Sequence, residues 1–292
     1  MPHEVQVKSV LNKKKSRDSW FLDDYTLNLY SSCSFNCLYC YIRGSKYGTN
    51  LESSLSVKIN AIELLDKQLA NRAKKGQFGY IVMSSATDPY LQIEKKYELT
   101  RKALEVIAKH RFPLHVLTKS SLIERDIDLL HRINQIAILP PELSHKPGVV
   151  ASFSFSTLQD EVGRIFEPGA TKPSERLITM QKMIDEGFHC GVSFMPLLPF
   201  ISDTTEQLHF AFSTFKKMGV KYVMPSTITL FGNQKADSKT LMLNAIAKHY
   251  PHLLERYHRY FYHSDYMPAY YQKAFTAKMK ELLAEYGLSG RI

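Results

Sequence analysis

Cys33, Cys37 and Cys40 fall within eight residues of a 292-residue chain, in the segment Cys33-Ser-Phe-Asn-Cys37-Leu-Tyr-Cys40. A disulfide scaffold would spread its cysteines, and a chain of this length does not need one. Clustered thiols point to metal instead. Three thiolates in one short loop can wrap one corner of a [4Fe–4S] cubane. Electron-transfer cubanes usually take four cysteines, so three leave one iron open to chelate a small molecule. Zinc is the structural alternative, but a closed zinc site needs four ligands, usually a second pair. No such pair follows, and the nearest downstream histidine is His110. The fourth cysteine, Cys190, stands in Phe188-His-Cys-Gly-Val-Ser-Phe194 and reads as a small apolar residue of a buried strand.

The elements around this loop alternate. Tyr25–Tyr30 reads as a first strand, which puts the cysteines in the loop at its C-terminal end. Ile62, Leu65, Leu69 and Ala73 recur at helical spacing, and Lys74, Lys75 and Gly76 form a cationic, glycine-ended stop. Gly79–Ser84, Leu114–Thr118, Val149–Phe155, His189–Met195 and a sixth run beginning at Lys221–Met224 read as further strands. Helices are expected over Lys95–His110, over Ile123–Ile133, after Pro173 with the stripe Leu177, Met180, Ile184, and along Leu208, Phe212 and Phe215. Asp203 with Glu206 resembles a capping pair for that last helix. Six strand–helix units in series predict an α/β fold with a parallel sheet, open or curled into a barrel. In such folds ligands bind at the C-terminal edge of the strands, where the cysteine loop lies. After about residue 238 the strands stop and the chain becomes helical and tyrosine-rich.

Hydrophobic residues make up 44% of the chain, enough for a substantial core and too many for a disordered polymer. No apolar run reaches the roughly 18–20 residues that cross a bilayer. The N-terminal residues carry no apolar block after their charges, so a soluble cytoplasmic protein without membrane attachment is expected. The net charge is +10, from 38 basic and 28 acidic residues, a balance that favours polyanionic partners. Lys13, Lys14 and Lys15 form a compact basic run within an expected mobile N-terminal basic arm, residues 1–20.

The CxxxCxxC loop after the first strand of a (β/α) series resembles the radical S-adenosylmethionine (radical SAM) superfamily, and the six units match its partial (β/α)6 barrel of TIM type. More specifically, the chain is similar to the spore photoproduct lyase-like group. The matching stretches are Ser85-Ala-Thr-Asp-Pro-Tyr-Leu-Gln-Ile-Glu94, Leu117-Thr-Lys-Ser120, Arg125-Asp126, Ser152-Phe-Ser154, Phe166-Glu-Pro-Gly-Ala170 and Met195-Pro-Leu-Leu-Pro199. The resemblance implies a core domain over 21–237 and a C-terminal helical cap over 238–292. It implies a [4Fe–4S] cluster on Cys33, Cys37 and Cys40 whose open iron chelates S-adenosyl-L-methionine. It further implies an electron donor such as flavodoxin or ferredoxin, and a lyase-like radical enzyme whose substrate class includes nucleic acid. Within it, Tyr39 stands where the family has an aromatic near the adenine. Ser84, Ser85 and Thr87 stand where it binds the methionine amino group. Lys119 could pair with the methionine carboxylate, and Ser154 and Ser156 resemble ribose or carboxylate contacts. Asp88 and Glu94 are candidate acids on the substrate side, or helix-start anions. Glu167 and Arg176 read as a loop-stabilising pair, and Pro196 and Pro199 shape a loop facing the adenine. One departure stands out. Ser85 holds the place of the cysteine that returns a hydrogen atom to the thymine radical in spore photoproduct lyases. A serine O–H bond is too strong for that task.

The tail from 250 to 271 interleaves Tyr250, Tyr257, Tyr260, Tyr262, Tyr266, Tyr270 and Tyr271 with His252, Arg256, His258, Arg259 and His263. Aromatic rings among cations can stack bases and bind phosphates. Alternatively, the stripe Leu253, Leu254 and Tyr257 makes this a helical lid over the barrel. Two other function classes remain open to the residues alone: a non-catalytic Fe–S or zinc nucleic-acid-binding protein, and an electron-transfer protein.

Overall fold

The structure is a computed structural model that describes residues 2–45, 55–83 and 86–292. Its strands are β1 (His3–Val5), β2 (Leu11–Lys13), β3 (Tyr25–Leu27), β4 (Tyr30–Ser31), β5 (Ser56–Lys58), β6 (Ile81–Met83), β7 (Leu114–Thr118), β8 (Val149–Phe155), β9 (His189–Leu197) and β10 (Val223–Thr227). Its α-helices are α1 (Ala61–Lys74), α2 (Glu94–Tyr97), α3 (Leu99–His110), α4 (Ile127–Ile136), α5 (Asp160–Phe166), α6 (Pro173–Asp185), α7 (Thr205–Met218), α8 (Ser238–His249), α9 (Leu254–Phe261) and α10 (Ala269–Glu285).

Six parallel strands run side by side in chain order, β3, β6, β7, β8, β9 and β10, with β2 antiparallel on the outer edge of β3. This is the expected α/β arrangement of six strand–helix units. β8 is buried along its whole length, as a parallel strand covered on both faces must be. The pleat divides its residues between two layers. Val149, Ala151, Phe153 and Phe155 join the large apolar core under the helices, with Cys190, Val192 and Phe194 of β9. On the opposite face Val150 packs with Tyr80, Tyr222, Met224 and Ile292. A period of two therefore decides which side chains see the barrel interior.

Four expectations need correction. The described part of the expected arm, residues 2–20, is tied down: Lys13 pairs with Tyr25 in the sheet, and β1 pairs with β5. Arg17 also contacts Asp24 and Glu142. The first strand ends at Leu27, and Tyr30–Ser31 turns into a second, three-stranded sheet. The helix expected over Lys95–His110 breaks at Glu98, which adopts φ 52°. The buried Glu94 carboxylate accepts the Thr100 N–H at 3.0 Å, so it satisfies an orphan donor at the start of α3. The cap of α7 is Thr204, whose hydroxyl accepts from the Gln207 N–H at 3.3 Å. Asp203 instead accepts from the Phe200 N–H and the Tyr271 hydroxyl. Among the described residues, no helix is long and apolar enough to cross a membrane.

Candidate functional site

The loop after β4 carries the three cysteines, and its shape is held from three sides. Ser32 and Asn36 take positive φ, 71° and 58°. The buried Arg43 guanidinium donates to the Cys37 carbonyl at 3.2 Å, to the Ala236 carbonyl at 3.3 Å and to the Asn36 side chain. The opposite side docks on the Phe166–Ala170 turn. There the Leu38 N–H donates to the Phe166 carbonyl and the Gly169 N–H to the Phe35 carbonyl, each at 2.9 Å. A Cβ on Gly169 would run into the Ser34 carbonyl, so this approach requires glycine.

Tyr39 ties the loop to a buried polar cluster. Its hydroxyl donates to Glu167, as does Ser156 at 2.8 Å, while Arg176 pairs with the other carboxylate oxygen. Lys119 donates to the Ser154 hydroxyl and lies 3.7 Å from Glu167. Burial works against a charge on Glu167, but Arg176, Lys119 and the two hydroxyls outweigh it and hold the carboxyl down to about 2. Asp88 accepts the Lys119 N–H and the Thr118 hydroxyl, both at 2.8 Å, and burial pushes its carboxyl up.

These pieces meet at one cavity of about 500 Å³ at the C-terminal edge of the parallel strands. That size lies within the roughly 300–1,000 Å³ usual for small-molecule sites. Cys33, Cys37, Cys40, Tyr39, Thr87, Asp88, Lys119 and Ser154 all line it. Two candidates do not. Glu94 is fully buried away from the cavity, engaged by Tyr30, Thr100 and Arg125, so it is an internal anion and not a substrate-side acid. Ser156 is likewise buried and committed to Glu167, so it reaches the site only through that carboxylate. Ser84 and Ser85 lie outside the described residues. Sequence reasoning missed Ser193, Ser226, Thr227 and Thr229, which also line the cavity. Ser154, Ser193 and Ser226 lie on three neighbouring strands at the inward parity, a signal that counting by two along each strand could have found. Cys190 has the outward parity and sits in the helix-side core.

Under the cavity floor lies a hydrogen-bonded layer. The His115 Nδ1 is 2.9 Å from the Phe21 carbonyl, Nε2 is 2.6 Å from Ser152 Oγ, and that oxygen is 2.6 Å from the Tyr222 hydroxyl. A carbonyl only accepts, which assigns the proton to Nδ1 and makes Tyr222 donate to Ser152 and Ser152 to Nε2. Burial lowers His115 to about 4. Its folded value lies below its unfolded one, so the unfolded chain takes up the proton first as pH falls. Stability on the order of 3 kcal/mol should therefore be lost between about pH 6.5 and pH 4. Denaturant titrations at several pH values check this, and His115→Gln is expected to flatten that limb.

The donor set suits an iron–sulfur cluster held by three cysteines. Burial raises all three thiols, Cys33 to about 12, so they give up protons to a metal and not to water. Among the described residues no three His, Cys, Asp or Glu side chains are gathered around a single-ion position. A cubane does not require that, because each thiolate holds a different iron.

A family model described as the radical SAM superfamily matches residues 27–211. An uncharacterised protein of Mycobacterium tuberculosis is 27% identical over 99% of this chain and 82% of its own length. A protein of Pseudomonas phage M6, named as a radical SAM Nalpha-GlyT isomerase, is 24% identical over 66% of this chain and 36% of its own. Among solved structures, spore photoproduct lyase complexed with dinucleoside spore photoproduct superposes with a TM-score of 0.65 at 16% identity, over 97% of this chain and 78% of that one.

Proposed function

The chain belongs to the radical SAM superfamily, and from that premise we propose that Cys33, Cys37 and Cys40 hold one [4Fe–4S] cluster beside a bound S-adenosylmethionine. When bound, this pair supplies the 5′-deoxyadenosyl radical that abstracts hydrogen from substrate. The observation that carries the reading is the convergence of three thiols, Lys119 and a row of inward hydroxyls on a single cavity. In it, Lys119 meets the methionine carboxylate, oriented by Asp88 through its backbone N–H and neutralised in part by Glu167. Thr87 supplies oxygen toward the amino group, with Ser84 and Ser85. Tyr39 presents its ring at the cavity wall while Glu167 holds its hydroxyl. Residues 21–237 form the core and 238–292 a cap, whose Leu253, Tyr257 and Phe261 share an apolar cluster with Tyr39.

Nucleic acid is the proposed substrate class. The net charge of +10 supports it, as does the fold shared with a lyase solved with a dinucleoside lesion. Direct reversal of that lesion is not the proposed reaction, since Ser85 replaces the hydrogen-donating cysteine. The test is anaerobic reconstitution with iron and sulfide, then reduction with S-adenosylmethionine present. About four irons per chain and release of 5′-deoxyadenosine are expected. Deuterium should pass from labelled oligonucleotides into that product. One zinc per chain without cleavage of S-adenosylmethionine would sink the enzyme reading. Label arriving only from a non-nucleic fraction of cell extract would sink the substrate class. Repair of spore photoproduct DNA at the rate of authentic lyases would overturn the role given to Ser85.

A further inference from the structure

A second groove of about 410 Å³ opens beside the cavity, and Ser226 and Thr227 line both. These residues end β10, so the two spaces share the end of one strand as a wall. The far side of the groove is α10, which contributes Phe275, Thr276 and Lys280. Trp20 lines it from the N-terminal segment, while the next residue, Phe21, lines the cavity. Consecutive aromatic residues thus serve adjoining chambers. Phe21 is fixed by its stack on His115, centroids 6.1 Å apart, and by the hydrogen bond to its carbonyl. That anchoring places the neighbouring Trp20, whose side chain stays 39% exposed.

We propose that this groove is a subsite for the nucleotide unit next to the one that reacts, with its base against Trp20 and its phosphate toward Lys280. The proposal rests on the nucleic-acid reading given above and deepens it. A half-exposed indole and the Phe275 ring suit a planar heteroaromatic base, which stacks on such faces with little regard to its identity. Among the described residues, Lys280 enters no ion pair and no acidic side chain lines the groove. That electrostatics favours an anion and disfavours a cationic peptide. The shared Ser226–Thr227 wall lets one chain place a nucleoside in the cavity and its neighbour in the groove. Membership of the superfamily implies nothing about this space, which is built from the chain's own N-terminal segment and last long helix.

Trp20 is the one tryptophan in the sequence, so fluorescence excited to the red of tyrosine absorption isolates the indole that lines the groove. Full-length protein is titrated with the dinucleotide d(TpT), with thymidine, and with S-adenosylmethionine, before and after cluster loading. Saturable quenching by d(TpT) is expected, at least about tenfold tighter than by thymidine, because stacking and a phosphate contact act together. Lys280→Ala should weaken that binding about fivefold and lessen its salt dependence. In turnover with a labelled oligonucleotide, Trp20→Ala should raise KM with little change in kcat, and Trp20→Phe should restore most of the loss. Equal quenching by S-adenosylmethionine would assign the groove to the cofactor and overturn the proposal. So would turnover of an oligonucleotide without a fluorescence change and with an unaltered KM in Lys280→Ala, although the substrate class would then stand. If S-adenosylmethionine is cleaved but d(TpT) neither quenches nor donates label, both the class and the subsite fail.

Discussion

Replacing Cys33, Cys37 or Cys40 with alanine is expected to leave the protein folded and unable to retain iron, with 5′-deoxyadenosine formation down at least about 1,000-fold. In the proposed cluster each thiolate would hold its own iron, so each removal would break one of three attachments. No other thiol stands ready to replace it. The remaining cysteine, Cys190, faces the helix-side core among Ala151, Val192 and Phe194, on the wrong side of β9. Cys190→Ala is therefore the informative control. It should cost about 1 kcal/mol through a small core cavity and leave iron content unchanged. Iron and sulfide assays with visible absorbance read the first result, and thermal unfolding reads the second. Full iron content in any one of the three alanine variants would refute the assignment, as would loss of iron in a folded Cys190→Ala protein.

Removing the charge of Glu167 is the second large effect. This carboxylate is almost fully buried and receives Tyr39, Ser156 and Arg176. Glu167→Gln leaves the equally buried Arg176 guanidinium without its anion, and breaking a buried pair from one side typically costs about 3–5 kcal/mol. The double variant Glu167→Gln/Arg176→Met should recover part of that loss, because no unpaired charge remains. The pH dependence gives an independent readout. The folded value of about 2 lies below the ordinary carboxylate value, so this stabilisation is present above about pH 4.5 and drains away as pH falls toward 2. The wild-type acid limb should carry on the order of 3 kcal/mol from this group, and Glu167→Gln should lack it. An unchanged limb in the variant would show that the pair is not coupled as the geometry indicates. Because Glu167 also holds Tyr39 in the cysteine loop, the variant should load iron more slowly even under conditions where it stays folded.

Much of this was readable along the chain. The boundaries of β7 and β8 follow from their apolar runs, and the cysteine spacing pointed, without any fold, to the superfamily whose model matches residues 27–211. The failures share a cause. Glu94 was open to two readings, a substrate-side acid or a helix-start anion, and nothing among its neighbours in the chain chooses between them. Only packing shows it engaged by Tyr30, Thr100 and Arg125, residues 6 to 64 positions away. The lysine run at 13–15 looked like a solvated arm because polarity dominates its composition. A sheet edge accepts such a strand through its backbone, with little demand on side chains. Ser193 and Ser226 carry no signal as single residues, and only their parity along β9 and β10 marks them as inward.

What the sequence by itself determined was local. Strand and helix order, the position of the CxxxCxxC loop at a strand end, and the number of thiols available are all properties of neighbours in the chain. The tertiary structure decided what those thiols face. Parity along β8, β9 and β10 turned Ser154, Ser193 and Ser226 inward and Cys190 outward. The curl of the sheet brought them to the cavity with Lys119, and the buried Glu167 held the loop in place. Such placements arise from contacts between residues far apart in sequence, where burial and pairing in the folded chain outweigh local preference.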